Sequence, residues 1–241
     1  MGALKKILAV NLGSASKKYA LFTLAPDGAE GALARFHFEK DEGKEIVTIT
    51  CASKSENAEI TADEYEHALS FVLKVLKERG VVAGEGDIAV VGVRIVAPGT
   101  YFAEHRKINR EFLEKLEKAQ DIAPLHVKPL VHELGELTKI FSEEKLVGVS
   151  DNSWNQTMLD VAREYALPRE DRERLDIHRF GYHGISMESV LDKAEEMMGR
   201  VPKRTVVCHL GSGSSIAAVK EGKCVDTSMG FTPLEGLPMG T

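Results

Sequence analysis

One short pattern occurs twice in this chain. Ala9-Val10-Asn11-Leu12-Gly13-Ser14-Ala15-Ser16 lines up with Val207-Cys208-His209-Leu210-Gly211-Ser212-Gly213-Ser214. From Asn11 to His209 the offset is 198 residues. Each copy is an apolar strand, one polar residue, Leu-Gly-Ser, two small residues and a return strand. Repetition at that range points to two related halves, each opening on a hairpin, and the period is too long for a solenoid. Two unrelated hairpins drawing on the same turn residues would look alike, so both explanations stand at this point. The chain has 241 residues, enough for two small cores.

The remainder supports an α/β fold. Apolar runs at 7–11, 19–24, 32–38 and 45–51, with Pro26-Asp27-Gly28 as a turn, read as an antiparallel meander ending near Ser53. Thr61 and Glu64 form a capping box ahead of Tyr65, Leu69, Val72 and Leu76 at helical spacing, with Gly80 closing the helix. Residues 87–96 and 145–150 read as further strands. Asn109 caps one helix and Pro129 suits the first turn of another. Residues 162–176 are charge-rich and irregular. Ser186 caps a helix with Val190, Leu191, Ala194 and Met197 inward, and 204–210 and 216–219 are the last strands.

Composition narrows the function. The net charge of −6 argues against nucleic acid, whose binders concentrate Lys and Arg. Three cysteines without metal-ligand spacing fit a reducing compartment, and the first apolar stretch is too short to span a membrane. Gly-Ser runs after a strand leave backbone N–H groups free and let an anion approach closely. Neither run matches G-x-x-x-x-G-K-[ST], and the second leads into a strand, unlike a dinucleotide fold. Lys18 follows the first run and either meets a phosphate or is solvated. Arg94, inside an apolar run, calls for a carboxylate or phosphate to grip, or for a structural ion pair. Asp151 directly follows a strand, which suits a ligand site and equally a turn. His126 and His183 are flanked by turn residues. No nucleophile elbow is present around Ser186.

Taken together, these motifs resemble the acetate kinase family along nearly the whole chain. Its N-x-G-S-S-S-x-K opening is similar to Asn11 through Lys18, and its H-R-V-V-H-G-G to Val93-Arg94-Ile95-Val96-Ala97-Pro98-Gly99. Its A-P-L-H-N-P is similar to Ala123-Pro124-Leu125-His126-Val127-Lys128, and its F-D-T-A-F-H-Q-T-M to the run from Ser150 to Met158. Its R-R-Y-G-F-H-G-T-S-H resembles the run Arg179 to Met187, and its H-L-G-N-G-A-S the run His209 to Ser215. The closing Met229 to Thr241 matches best. The chain departs at Ala97-Pro98, Trp154-Asn155, Tyr182, Met187 and Ser212.

The resemblance implies an actin-like, ribonuclease H-like ATPase fold with mixed sheets. Residues 1–151 would form a first domain and 152–241 the start of a second, the rest of which lies beyond this chain. It implies reversible transfer of the ATP γ-phosphoryl to acetate or a similar acid, with Mg2+, in a cytoplasmic homodimer. By position, Asn11 would serve Mg2+, and Ser14, Ser16 and Lys18 the first phosphate loop. Arg94 would bind the carboxylate and Asp151 orient it. His126 and His183 would stabilise the transferring group. His209, Gly211, Ser212 and Gly213 would hold ATP phosphates, and Val96, Leu125, Tyr182 and Pro233 would line the alkyl pocket. The alternative is an inactive or split form that binds phosphate compounds or a partner.

Overall fold

The computed structural model describes residues 5–13, 16–25 and 30–240. It divides into two compact units. Unit 1 is Met1–Arg94, Lys107–Glu117 and Leu125–Gly148; unit 2 is Ile95–Arg106, Lys118–Pro124 and Val149–Thr241.

Unit 1 is built on the meander. Strands β1 (Lys5–Leu12), β2 (Ser16–Leu24), β3 (Glu30–Asp41), β4 (Lys44–Cys51) and β5 (Lys54–Ile60) pair antiparallel in succession. β6 (Ile88–Ile95) adds to β1 in parallel, followed in the sheet by β8 (Leu146–Ser150) and the two-residue β7 (Arg106–Lys107). The sheet is therefore mixed, in the order β5-β4-β3-β2-β1-β6-β8-β7. Alternation puts Leu8, Val10, Tyr19, Leu21, Phe36, Phe38, Val47 and Ile49 inside. Phe38 meets Tyr19 and Phe71 edge-on, each with ring centroids 5.7 Å apart.

β5 escapes the sequence pattern because it is an edge strand. Most of its side chains are exposed and polar, so no alternation marks it. The capping box at Thr61 is present, with Glu64 N–H donating to Thr61 Oγ1 at 3.1 Å and Thr61 N–H to Glu64 Oε2 at 2.9 Å. The expected single helix is broken at His67 into α1 (Ala62–Glu66) and α2 (Ala68–Glu78), and Gly80 follows in the left-handed region at φ 66°. Asn109 caps α3 (Arg110–Ala119) through Phe112 N–H at 2.9 Å. Pro129 does not start its helix. α4 (Pro124–Ile140) begins five residues earlier, on Pro124, whose missing N–H costs nothing there. His126 consequently lies in the first turn of a helix, not in a tight turn.

Unit 2 contains a three-stranded antiparallel sheet in the order β11-β10-β9, formed by β9 (Arg204–Leu210), β10 (Ser214–Lys220) and β11 (Lys223–Thr227). The charge-rich stretch holds two short helices, α5 (Asp160–Arg163) and α6 (Arg169–Leu175). α7 (Gly184–Met198) packs Met187 and Leu191 with Trp154, Met158, Val207, Ala217, Val219 and Cys224. Val190 and Met197, expected inside, are 47% and 78% exposed. Ser186 lies within α7; the residue at its N-cap is His183. No helix among the described residues is long and apolar enough to cross a membrane.

Candidate active site

In unit 1 the site residues sit at the ends of adjacent strands. Asn11 on β1 lies opposite Lys18 on β2, so both side chains leave the same sheet face. Arg94 is the penultimate residue of β6, and its Nη1 donates to Asn11 Oδ1 at 3.1 Å. Asn11 and Arg94 are half-buried and Lys18 is exposed. Gly13 N–H donates to the Ser16 carbonyl at 2.8 Å across the β1–β2 loop. Ser14 lies outside the described residues. Asn11 offers one neutral amide oxygen, which suits a Mg2+ ion otherwise coordinated by phosphate and water. No cluster of three or more His, Cys, Asp or Glu able to hold a metal occurs among the described residues.

In unit 2 the centre is Asp151, only 1% exposed. Its N–H donates to Ile95 O at 3.0 Å, and its own carbonyl accepts Gly184 N–H at 2.8 Å. Its Oδ2 accepts the His183 N–H at 2.8 Å. A carboxylate is thus set at the N-terminus of α7, where unpaired N–H groups and the helix dipole favour negative charge. Gly181, Tyr182 and His183 are all left-handed, with φ of 92°, 49° and 52°. Such a run costs on the order of 1–3 kcal/mol for each non-glycine residue, and persists only where surroundings impose it. Asn155 Nδ2 donates to Tyr182 O at 2.9 Å, and Tyr182 Oη donates to Phe231 O at 2.6 Å. Gly181 is obligatory, since a Cβ there would lie 2.6 Å from Asn155 Cγ.

The His183 ring is held against β9 and β10. Its Nδ1 lies 2.9 Å from Ser215 Oγ, and its ring stacks on His209 with centroids 4.1 Å apart. His209 Nδ1 lies 2.8 Å from Ser186 Oγ. Gly211 and Gly213 close the loop, with the Gly211 N–H donating to the Gly213 carbonyl at 3.0 Å. Ser212 is exposed, and its carbonyl accepts Gly240 N–H at 3.0 Å.

Of the four residues expected to line a pocket, Val96 and Tyr182 share an apolar cluster with Phe180 and Met229, flanked by Phe231 and Met239. Burial pushes the Tyr182 phenol well above its ordinary range, helped by the charge of Glu235. The hydroxyl gained over phenylalanine is taken up by the Phe231 carbonyl. Pro233 is buried in the same closing segment. Leu125 is 61% exposed and belongs to unit 1. His126 also belongs to unit 1, half-buried on α4. Two partners were missed by sequence reasoning. Ser215 pairs in register with His209 on the next strand, and Ser186 is separated from His209 by 23 residues. Glu235 was passed over as well; it accepts the Tyr165 hydroxyl at 2.5 Å and, through its other oxygen, the Phe231 N–H at 2.8 Å.

This fold and these residues define a chain built like short-chain carboxylate kinases of known structure. A propionate kinase from Francisella tularensis superposes with a TM-score of 0.83 at 32% identity, over 98% of this chain and 60% of that one. Porphyromonas gingivalis acetate kinase gives 0.78 at 34%, over the same shares. The acetate kinase of Mycoplasmoides gallisepticum is 38% identical over 99% of this chain and 60% of its own length. The model of the acetokinase family matches residues 6–241, and the chain belongs to that family. It spans about 60% of the length of the curated relatives it matches.

Proposed function

We propose that this chain carries the reacting residues of an ATP-dependent carboxylate kinase, which reversibly moves the γ-phosphoryl of ATP to acetate or a similar short acid to give an acyl phosphate. The observation that carries it is the pair of imidazoles beside the Gly211–Gly213 loop, one of them on His183, whose backbone N–H the Asp151 carboxylate takes. The repeated hairpin supports two related halves, residues 1–151 and 152–241. The resemblance extends this to a cytoplasmic homodimer.

Phosphoryl transfer needs positioning and charge neutralisation more than covalent help from the protein. The acid is already ionised at neutral pH, so no strong base is required. Arg94 would hold one carboxylate oxygen and leave the other to attack the γ-phosphorus, while the bond to the bridging oxygen breaks and ADP departs. Asp151 would orient the acid and the His183 backbone. Imidazole N–H groups would meet the charge gathering on the transferring oxygens, and His126 would add to them. Mg2+, bound with ATP, supplies charge neutralisation on the phosphates.

Formation of acyl hydroxamate with ATP, Mg2+ and acetate, propionate or butyrate tests the reading. Arg94→Ala and Asp151→Asn are each expected to remove at least about 99% of the turnover. Near-normal rates in either would refute its role. A second reading, a binding module without turnover, is favoured by the apolar sheet face that unit 2 exposes at Val206 and Leu210. Running the assay on this chain alone, and on the chain supplied with the remaining part of a relative, separates the two. No turnover in either defeats the kinase.

A further inference from the structure

Two imidazoles stand face to face beside the second small-residue loop, each gripped from behind. The His183 and His209 centroids are 4.1 Å apart and the rings are tilted by 31°. Ser215 Oγ lies 2.9 Å from His183 Nδ1, and Ser186 Oγ lies 2.8 Å from His209 Nδ1. The opposite nitrogens face the loop. A Cβ on Gly213 would lie 3.2 Å from His183 Nε2, and one on Gly211 would lie 3.8 Å from His209 Nε2. Ser215 comes from β10 and is fully buried, whereas Ser186 comes from the first turn of α7. Two elements thus supply two matching hydroxyls to two stacked rings.

We propose that Ser186 and Ser215 are positioning residues that hold His209 and His183 in the neutral Nε2–H tautomer, so that two N–H donors converge on the Gly211–Gly213 loop to receive a phosphate group. This rests on the phosphotransferase reading. A serine hydroxyl either donates or accepts, so the oxygen–nitrogen distances alone leave two hydrogen arrangements. The chemistry of the other ring nitrogen decides between them. A phosphate oxygen in this site accepts, so Nε2 must carry a hydrogen. Taking a second proton on both rings would set two imidazolium charges against each other at this separation, which disfavours that route. A neutral ring with Nε2–H has a bare Nδ1, and the serine then donates to it. The loop glycines gain a second reason for being small: any side chain at 213 would crowd the donor nitrogen of His183.

Long-range proton–nitrogen NMR correlation of the full chain, labelled with nitrogen-15 in its histidine rings, reads the tautomers directly. At about pH 8, where unpaired histidines are neutral, both rings should show a bare Nδ1 and a protonated Nε2. Ser215→Ala should convert His183, and Ser186→Ala should convert His209, to a mixture of tautomers. Each should weaken ATP binding about tenfold by calorimetry. Ser215→Thr and Ser186→Thr, which keep the hydroxyl, should retain the wild-type spectrum and affinity. Nδ1–H in both wild-type rings, or tautomers unchanged in the alanine variants, overturns the proposal. Should Ser215→Ala fail to fold, the wild-type spectrum and Ser186→Ala decide. Locked tautomers with no turnover even when the remaining part of a relative is supplied would uphold the serine assignment and sink the phosphotransferase reading.

Discussion

Asp151 shows how one residue ties several segments of the chain together. Its backbone bonds Ile95 and Gly184, its carboxylate takes the His183 N–H, and almost none of it reaches solvent. The sequence marked it as a turn aspartate or a ligand residue, and what its carboxylate grips lies 32 residues away, beyond any local pattern. Gly184 is small for that reason. A Cβ there would lie 2.6 Å from the Asp151 carbonyl oxygen, which is backbone and cannot swing aside. Gly184→Ala is expected to cost roughly 1–3 kcal/mol in urea denaturation, in line with overpacking a tight core. The cysteines offer a second residue-level check. Burial pushes the Cys224 thiol up to about 12, with Asp226 adding to it, while Cys208 is exposed. Iodoacetamide at about pH 8 should label Cys208 within minutes and spare Cys224 in the folded chain, by mass spectrometry.

At the scale of elements, what was legible followed from periodicity and capping. Leu8, Val10, Tyr19 and Leu21 alternate as a half-buried sheet must, and the Thr61 box marks a helix start. What was hidden depends on partners distant in sequence. β5 has no apolar stripe, and Ser186 looked like a cap because nothing local shows that His209 claims its hydroxyl. α4 hides another such contact. Glu133, 1% exposed, accepts the Tyr19 hydroxyl at 2.6 Å, and Lys17 Nζ stands 3.8 Å from its other oxygen. Burial pushes this carboxyl above its ordinary value near 4.5, although Tyr19 and Lys17 pull the other way. The folded state therefore binds this proton more tightly than the unfolded chain. Its contribution to stability is largest below about pH 4.5 and falls as pH rises through the higher folded value. In Glu133→Gln that part of the decline should vanish, which urea midpoints between about pH 4 and pH 7 would show as a flatter profile. An unchanged slope would place the titration elsewhere.

For the whole molecule, the repeated motif proved to be a repeated hairpin: β1 and β2 pair antiparallel, as do β9 and β10. Gly13 bonds to the residue three ahead and Gly211 to the residue two ahead, so the second turn is tighter by one residue. Sequence could show the echo but not that difference, because turn residues report composition better than register. It also could not show how unevenly the faces of unit 2 are covered. On β9, Val207 points into the core while Val206 and Leu210, on the other face, are 67% and 72% exposed. Val206, Ala218 and Val225 line a depression of about 350 Å3 on that sheet. Val206→Lys should therefore change the stability of this chain by less than about 0.5 kcal/mol, since the side chain already stands in water. In a longer protein carrying the two-fifths by which the relatives exceed this chain, the same substitution tests whether that part covers the sheet. If it does, a lysine is forced under an apolar layer and urea denaturation should register a loss of about 1–3 kcal/mol. Equal, negligible effects in both proteins would mean that the added part leaves this face open.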